Sequence, residues 1–528
     1  MDNFTGSQQF IQRATELWMR KRVQRTVQVP KSSSKRRNQF GAVNIFNSPN
    51  VIVKNCTFDN NTSNGDYAAF SQYHGGGLSI SYILNVTLVS NISIVVTDCY
   101  FNNNTATSSS SDFALHQFVS QRSLGSRGGG LAITVSTPSI VNCVVNNSMF
   151  VNNTSSFLGG GLFCIALNTH SHQTYTLENL TFNNNHAMFA GGLFYRTNGS
   201  QNHSDEASVK ATILNCLFMA NTATVAGAVI ISIHDQIVNS SVEFNGCMFT
   251  KNLATDYAGT VDISSHNFFV DRSYYAPIAF TDCKFDNNFG ADAAAINIAY
   301  YNARFNNVAF SNNTGTAVRV VAGKIYSEGR IVYYGNNAAT NAIEGIASIG
   351  GALYLLSYSQ LVLQSGTHID YISNTGRIGA AIAVEDDPPV IPPVFRNIYD
   401  HPLCFLQVSN HSDLLNPDQL SLNFTDNKAV IGGEIFARLE LCLLVPPFSS
   451  DNSELPFLTH DKNDSLLLSP TMRVHLSSEP VSGYPGGKFS LRITPKDQLN
   501  SSTIDIVTFA GLTNKTNVVS LIKINVLR

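Results

Sequence analysis

The sequence predicts an all-β protein, a right-handed parallel β-helix with a short C-terminal β-sandwich-like module or cap. Three observations lead to this prediction. In eleven copies along the chain, an aromatic ring is followed three residues later by Asn. Most copies continue into a pair of small residues and an aliphatic residue, as in Gly191-Gly192-Leu193. The repeats are apolar at alternate positions, which is typical of strands and not of helices.

The aromatic residues mark the repeating unit. Successive rings are separated by 24 to 53 residues. A strand rises about 3.3 Å per residue, so the shortest spacings fit one coil of three short strands and their turns. We therefore predict that the rings stack inside the coil. The copies are headed by Phe58, Phe101, Phe150, Phe182, Phe218, Phe249, Phe285, Phe310 and Phe424, with weaker copies at Tyr334 and Tyr371.

The Asn residues are predicted to be structural. Asn tolerates positive φ better than other non-glycine residues, which suits sharp corners between strands. Asn above Asn in successive coils can also form a ladder of amide hydrogen bonds. The aliphatic residue follows the second Asn by eight residues in five copies, among them Asn185/Leu193 and Asn221/Val229. A ligand-binding role for the Asn residues is the less favoured alternative.

The chain divides into three predicted parts: a basic N-terminal segment (1–39), the β-helix (40–445) and a C-terminal β module (446–528). The first segment combines apolar and basic residues and has no apolar signal-peptide core. Three interpretations fit it: a helix that caps the open first coil, a truncated N-terminus that has lost its signal, and a targeting or membrane-surface helix. The first is favoured, because the ends of a solenoid must be covered. No apolar run is long enough for a transmembrane helix.

Composition and glycosylation motifs indicate an extracellular or cell-surface protein. Only 13% of residues are charged and the net charge is −3, which argues against a nucleic-acid partner. Twenty Asn-x-Ser/Thr motifs occur, about twice the roughly ten expected by chance. The excess favours a glycosylated protein of the secretory pathway. The candidate N-glycosylation sites include Asn55, Asn85, Asn91, Asn103, Asn152, Asn179, Asn239, Asn312, Asn423, Asn463 and Asn514.

The nine cysteines fit the same compartment. Five of them precede a ring by two residues, so they are predicted to point inward and to stack in a column: Cys56, Cys99, Cys216, Cys247 and Cys283. Apolar filling by thiols is the favoured role, and disulfides between neighbouring coils stay open as an alternative. Cys404 and Cys442 flank the last coil and are the candidate disulfide pair. The spacing of the nine cysteines along the chain matches no zinc motif, so no metal or cofactor is expected.

Catalytic motifs were sought because some enzymes share this fold. A polysaccharide-degrading enzyme needs carboxylates clustered on adjacent coils. Asp256, Asp262 and Asp292 would form a cluster if their coils align, whereas isolated solvated acids are the favoured interpretation. The acidic run 385–387 and the pair His170 and His172 lack the ligand spacing of calcium and zinc sites. The sequence thus predicts no catalytic, cofactor-binding or metal-binding residues.

The repeat resembles a known motif pair. Phe-x-x-Asn alternating with Gly-Gly-aliphatic is similar to the repeats of chlamydial polymorphic outer membrane proteins. Cys before the ring, as in Asn55-Cys-Thr-Phe58, is similar to large predicted surface-protein families of simple animals, which this chain resembles more closely. The resemblance covers about Asn55 to Phe436 and implies a right-handed parallel β-helix at a cell surface, with adhesion as the role of the bacterial proteins. The tail after the last repeat is shorter than their C-terminal membrane barrel, so autotransport is not implied.

These observations predict a non-catalytic extracellular or cell-surface scaffold, adhesive or structural, that presents loops and N-glycans. Insertions such as 105–127 lengthen the arcs between strands, where solenoid proteins carry contacts, but for any single insertion a functionally silent decoration is the favoured interpretation. The expected partner is an unidentified protein or carbohydrate at the cell surface or in the matrix. The alternative is a carbohydrate-active enzyme, a polysaccharide lyase or glycoside hydrolase, that uses a groove on the β-helix.

Overall fold

The protein is all-β, and its strands stack in parallel to form a β-helix, as the sequence predicts. The chain forms two compact units, Met1–Ile278 and Ala279–Arg528. The computed structural model describes residues 37–38, 43–65, 75–82, 91–108, 126–137, 139–169, 172–199, 208–233, 240–256, 258–264, 278–338, 342–343, 346–347, 350–356, 359–364, 366–385, 406–408, 420–431, 435–437, 442–445, 465–469, 472–475, 488–495, 504–510 and 524–526. Every helix or strand assigned in these ranges is a strand.

Each coil of the first unit contributes to three parallel sheets, here called A, B and C in chain order. The A-sheet strands are Asn50–Lys54, Asn91–Thr97, Ile140–Asn146, His172–Glu178, Ser208–Leu214 and Ser241–Asn245. The B-sheet strands are Thr57–Asp59, Tyr100–Asn102, Met149–Val151, Thr181–Asn183, Leu217–Met219 and Met248–Thr250.

The C-sheet of the first unit is built from two strands in each coil. The shorter strands are Arg37–Asn38, Thr62–Gly65, Thr105–Ser108, Thr154–Ser155, His186–Phe189, Thr222–Val225 and Leu253–Ala254. The longer strands follow the small-residue pairs and are Val43–Phe46, Leu78–Tyr82, Leu131–Ser136, Leu162–Thr169, Leu193–Gly199, Val229–Ile233 and Val261–Ser264.

The second unit repeats this arrangement. Its A-sheet strands are Ile278–Thr281, Asn302–Asn306, Lys324–Glu328, Gln360–Leu363, Leu406–Val408 and Cys442–Val445. Its B-sheet strands are Lys284–Asp286, Ala309–Ser311, Arg330–Tyr334, His368–Ile372 and Leu420–Thr425. Its C-sheet strands are Phe289–Ala299, Thr314–Val321, Leu353–Leu356, Thr375–Ile378, Ile382–Glu385, Lys428–Ile431 and Ile435–Ala437, and Ala342–Ile343 forms a hairpin with Ile346–Ala347.

The C-terminal strands extend the sheets of the second unit. Met472–His475 pairs in parallel with the last B-sheet strand and antiparallel with Ser465–Ser469. Lys488–Pro495 pairs in parallel with Cys442–Val445, and Ile504–Ala510 and Ile524–Val526 follow in antiparallel order. This pairing corresponds to the cap form of the prediction, because the added strands join existing sheets. The predicted N-terminal capping helix lies outside the described residues, except that Arg37–Asn38 is a strand paired with Thr62–Ser63.

The aromatic rings form one continuous stack inside each unit. In the first unit the rings from Phe58 to Phe249 lie 4.7 to 4.9 Å apart between centroids and are nearly parallel. In the second unit Phe285, Phe310, Tyr333, Tyr371 and Phe424 stack at 4.9 to 5.1 Å. The ring stack confirms the predicted interior columns.

One predicted ring position was wrong by a single residue. The sequence places Tyr334 in the repeat, whereas the structure stacks Tyr333 and leaves the Tyr334 side chain 48% exposed. Neighbouring residues of a strand point to opposite faces, so only one of the two tyrosines can face inward. Tyr333 does so because the buried Asn336, three residues later, is the one that continues the Asn column.

The second Asn of each repeat forms the predicted amide ladder, and its residues are 0 to 3% exposed. Except at the last Asn of each unit, the Nδ2 donates to the Oδ1 of the next ladder Asn, and most Nδ2 atoms donate also to the carbonyl oxygen of the ring residue in the preceding coil, as Asn104 does with Phe58. Except at the first Asn of each unit, the Oδ1 accepts the backbone N–H and the Nδ2–H of the preceding ladder Asn, so an amide within the ladder satisfies its polar atoms. We call this set the Asn ladder: Asn61, Asn104, Asn153, Asn185, Asn221 and Asn252 in the first unit, and Asn288, Asn313, Asn336, Asn374 and Asn427 in the second.

The residue before each ladder Asn makes the corner between the B-sheet and the C-sheet. These corner residues have positive φ, about 50–55° in the non-glycine cases, for example Asn103 at 50° and Asn184 at 54°. Asn adopts this left-handed conformation at lower cost than other side chains. Where a repeat has two consecutive Asn residues, they have different roles: the first adopts the corner conformation and the second is buried in the interior.

The small-residue pairs allow neighbouring coils to approach closely. A Cβ atom on Gly160 would lie 2.4 Å from the carbonyl oxygen of Gly191, and one on Gly161 would lie 2.8 Å from the ring of Phe182. A contact that short with a backbone oxygen cannot be relieved by a rotamer change. Because the glycines have no side chain, the ring stack can pack directly against the backbone that leads into the C-sheet.

Candidate functional surfaces

The repeat cysteines line the interior as buried thiols. Seven buried cysteines are thiols outside any disulfide, and the five that precede a ring are 1 to 3% exposed. The predicted inward orientation is confirmed, but the column is not contiguous. Ser148 and Leu180 occupy the equivalent position between Cys99 and Cys216, as the backbone bonds from Met149 to Cys99 and from Leu217 to Leu180 show. The stack therefore consists of two adjacent pairs in the first unit, Cys56 with Cys99 and Cys216 with Cys247, and Cys283 in the second.

The buried cysteine thiols have low reactivity. Burial raises the pKa of Cys143 to about 12, and it raises the pKa of Cys164 well above its usual value. A hydrogen bond with Cys56 and burial together raise the pKa of the Cys99 thiol. Because the thiolate is the nucleophile, these environments are typical of packing and not of catalysis.

We expect the seven buried cysteines to resist maleimide labelling in the native protein and to react fully in guanidinium. Raised pKa values and burial remove both the thiolate and the access that labelling needs. The measurement is mass spectrometry of a Cys404→Ser, Cys442→Ser variant, which removes the two other cysteines from the count. Fast native labelling of Cys99 would contradict the buried column. Loss of reactive thiols in pairs would indicate bridges between coils.

The candidate disulfide cannot be placed. Cys404 lies outside the described residues, and Cys442 begins the strand Cys442–Val445 with no side chain described. The Cys404–Cys442 bridge stays a prediction, and non-reducing peptide mapping of secreted protein would test it.

The interpretation of the three acids as solvated is wrong for Asp262 and Asp292, which are buried, and holds for Asp256. Asp262 is 5% exposed and accepts a hydrogen bond from Ser264 at 2.9 Å. In the second unit, Asp292 forms an ion pair with Arg319 at 3.3 Å, and Arg319 also donates to Asn297 at 3.0 Å. The Asp256 side chain is exposed. In the part of the chain that the structure describes, no three His, Cys, Asp or Glu side chains come together as a metal site.

The remaining polar candidates have simple surroundings or lie outside the described ranges. His172 starts an A-sheet strand, and its Nδ1 lies 2.7 Å from the Ser208 hydroxyl of the next coil. His170, Asp386 and Asp387 are outside the described residues, and Glu385 ends the strand Ile382–Glu385. The structure thus gives His172 a hydroxyl neighbour and does not place a second imidazole beside it.

The outer face of the B-sheet differs between the two units. In the first unit three of the six residues that precede a ring are exposed and apolar, with Tyr100 36%, Met149 45% and Met248 38% exposed. Leu217 and Met219 continue this surface. The signal was present in the sequence, because the residue before an inward ring must point outward. The exposed apolar face of the B-sheet is therefore a feature that the sequence predictions missed.

In the second unit the same face carries linked polar side chains. Asp370 accepts hydrogen bonds from Arg330 at 2.9 Å and from Asn423 at 2.7 Å. Ser311 donates to Asp286 at 2.6 Å. Burial raises the pKa of Asp286, but the hydrogen bonds from Ser311 and Asn287 outweigh it and hold the pKa below its usual value. These side chains join neighbouring coils from outside, and each acid has a partner.

A second apolar cluster lies on the outer side of the C-sheet in the first unit. Leu162 and Leu193 face the coil interior, so the following Phe163 and Phe194 point away from it, and their rings stack at 5.5 Å. The Arg127 guanidinium lies 5.2 Å from the Phe163 ring centroid. The members of this outer cluster are Ala132, Phe157, Leu158, Phe163, Ile165, Phe189, Ala190, Phe194, Ala226 and Ile230.

The candidate glycosylation sites fall into clear positions. Asn103, Asn152 and Asn312 are exposed corner residues before a ladder Asn, and Asn55 and Asn179 are exposed at the corner between the A-sheet and the B-sheet. Asn91 is exposed at the start of an A-sheet strand, whereas the half-buried Asn423 donates to Asp370. The other four candidates lie outside the described residues, namely Asn85, Asn239, Asn463 and Asn514.

Comparisons with known proteins give no match to a family model, to a curated protein or to a solved structure. No helix with the length and hydropathy needed to span a bilayer occurs in the described ranges.

Proposed function

We propose that the chain is a non-catalytic extracellular or cell-surface scaffold, adhesive or structural, that displays N-glycans and loops from a rigid β-helix. The observation that carries this proposal is the position of the glycosylation motifs. Five candidate sites, Asn55, Asn103, Asn152, Asn179 and Asn312, are exposed at turns between strands, where a bulky polar sugar can be attached without disturbing the interior. We also propose kinship with the surface-protein families that share the Phe-x-x-Asn and Gly-Gly-aliphatic repeats.

The proposed partner is a protein or carbohydrate at the cell surface or in the matrix. Support comes from the flat B-sheet face of the first unit, where Tyr100, Met149 and Met248 are exposed. Aromatic and Met side chains are adaptable contact residues and are enriched where proteins bind partners. A rigid sheet also holds such contacts in fixed register from coil to coil.

A carbohydrate-active enzyme is the second candidate, because one acid, Asp262, is buried on the strand Val261–Ser264. Hydrolysis or elimination would require a second carboxyl group within about 5–10 Å. Asp292 belongs to the second unit, where it forms an ion pair with Arg319 at 3.3 Å.

We expect the purified, secreted protein to bind cells or matrix without depolymerising neutral or acidic polysaccharides. The measurement is reducing-end release over a polysaccharide panel, together with cell-binding assays of the same preparation. Turnover that is lost in Asp262→Asn and kept in the exposed-site control Asp256→Asn would contradict the scaffold proposal.

A further inference from the structure

We propose that the folded protein carries N-glycans on the corner Asn and not on the ladder Asn of its repeats, so that Asn60, Asn103 and Asn152 form a column of sugars along one edge of the first unit. In each overlapping motif, Asn60-Asn61-Thr62-Ser63 and Asn152-Asn153-Thr154-Ser155, only the first Asn carries the glycan. This inference rests on the proposed function, since it requires passage through the secretory pathway. The sequence alone does not choose between the two asparagines, because both satisfy Asn-x-Ser/Thr.

The three corner residues lie on consecutive coils. Their φ values are 55° for Asn60, 50° for Asn103 and 54° for Asn152, and all three side chains are exposed. Asn60 and Asn103 each donate their backbone N–H to the coil that follows, at 3.0 Å. Neighbouring strands in a sheet are about 4.8 Å apart, so the acceptor amides follow the coil axis at that interval.

The second asparagine of each motif is sealed in the Asn ladder. Asn153 is 0% exposed, and its Nδ2 donates to the Phe101 carbonyl and to Asn185 Oδ1, both at 3.0 Å. Both amide hydrogens are therefore in use, whereas a glycosylated amide keeps only one. Asn61 is 3% exposed and donates to Asn104 Oδ1 at 2.8 Å. A sugar on either Nδ2 would also have to enter the packed interior beside the ring stack.

The corner Asn side chain is neither buried in the interior nor held by the hydrogen bonds of the Asn ladder. Asn152 Oδ1 accepts a hydrogen bond from Asn184 Nδ2 at 2.7 Å, which fixes the oxygen, and Asn152 Nδ2 belongs to no ladder bond. Transfer forms a bond between Nδ2 and C1 of the sugar and breaks the C1–O bond of a lipid-diphosphate-linked oligosaccharide. The lipid diphosphate leaves, and one Nδ2 proton passes to solvent. Since transfer acts on the unfolded chain, selection occurs at folding: a chain with a sugar on Asn153 cannot close its ladder.

The chain offers a matched pair of variants for the test. Thr154→Ala abolishes the Asn152 motif and keeps Asn153-Ala-Ser155, whereas Ser155→Ala abolishes the Asn153 motif and keeps Asn152-Asn153-Thr154. The full chain is secreted from a eukaryotic host, and its glycans are removed enzymatically in heavy-oxygen water. Mass spectrometry then identifies each former glycan site as a labelled Asp.

We expect the label on Asn60, Asn103 and Asn152 and none on Asn61 or Asn153 in secreted wild-type protein. Ser155→Ala should keep the glycan of this coil, and Thr154→Ala should lose it. Label on Asn153 while Asn179 or Asn55 is also labelled would overturn the corner rule and leave the proposed function intact. Secretion with no N-glycan at any motif would overturn both.

Discussion

Replacing Asn221 with Ala is expected to lower the free energy of unfolding of the first unit by about 3–5 kcal/mol, because buried polar groups lose their partners. Asn221 Nδ2 donates to the Phe182 carbonyl at 2.9 Å and to Asn252 Oδ1 at 3.0 Å. Its Oδ1 accepts the backbone N–H of Asn185 at 3.0 Å and the Asn185 Nδ2–H at 2.9 Å. Ala would remove all four bonds. Urea unfolding followed by circular dichroism measures the change.

The matched control is Asn184→Gly in the preceding coil. Asn184 is an exposed corner residue with φ of 54°, a conformation that glycine adopts readily. It loses one surface hydrogen bond, to Asn152, so the expected loss is below about 1 kcal/mol. Equal losses for Asn184→Gly and Asn221→Ala would contradict the assignment of different roles to corner and ladder.

Replacing Phe218 with Ala is expected to cost about 3–5 kcal/mol through the cavity it leaves. The Phe218 ring is fully buried between Phe182, at 4.7 Å, and Phe249, at 4.9 Å. Neither neighbour can collapse into the space, because each is fixed by its own coil. The loss is again measured by urea unfolding.

Met219→Ala provides the control for Phe218. Met219 is the next residue of the same strand and points outward, half-buried, so its truncation should cost below about 1 kcal/mol. A loss under about 1 kcal/mol for Phe218→Ala would mean that the ring contributes little to the interior. A larger loss for Met219→Ala would indicate that the outer B-sheet face is covered in solution.

The interior was predictable because its signals are local and repeated. A ring and an Asn three residues apart recur at almost every coil, and the fixed spacing of Asn185 and Leu193 predicted the strand that pairs Leu193 with Val229. The prediction was wrong at Tyr334 because Tyr333 and Tyr334 both precede an Asn by three residues. Only the position of Asn336 in the ladder distinguishes them.

The outer surfaces were less predictable. An alternating pattern reports which side of a strand is buried inside the coil, but it does not report what the other side contacts. Phe163 and Phe194 follow inward leucines, so an outward position could have been inferred, yet their burial in an outer cluster depends on packing across coils. The gap in the cysteine column was predictable, because Ser148 and Leu180 stand two residues before their rings, where the other coils have Cys.

The uniformity of the ring stack and the Asn ladder has a kinetic consequence. Each coil offers its neighbours the same ring and the same amide, so Phe182 would meet Phe249 much as it meets Phe218. A folding chain that skips one coil would therefore keep most of these contacts and be trapped out of register. Departures from the repeat, such as Ser148, Leu180 and the unequal lengths of the arcs between strands, make each coil different from its neighbours. These irregular positions thus favour the native order of the coils, while the repeated residues stabilise the contacts between them.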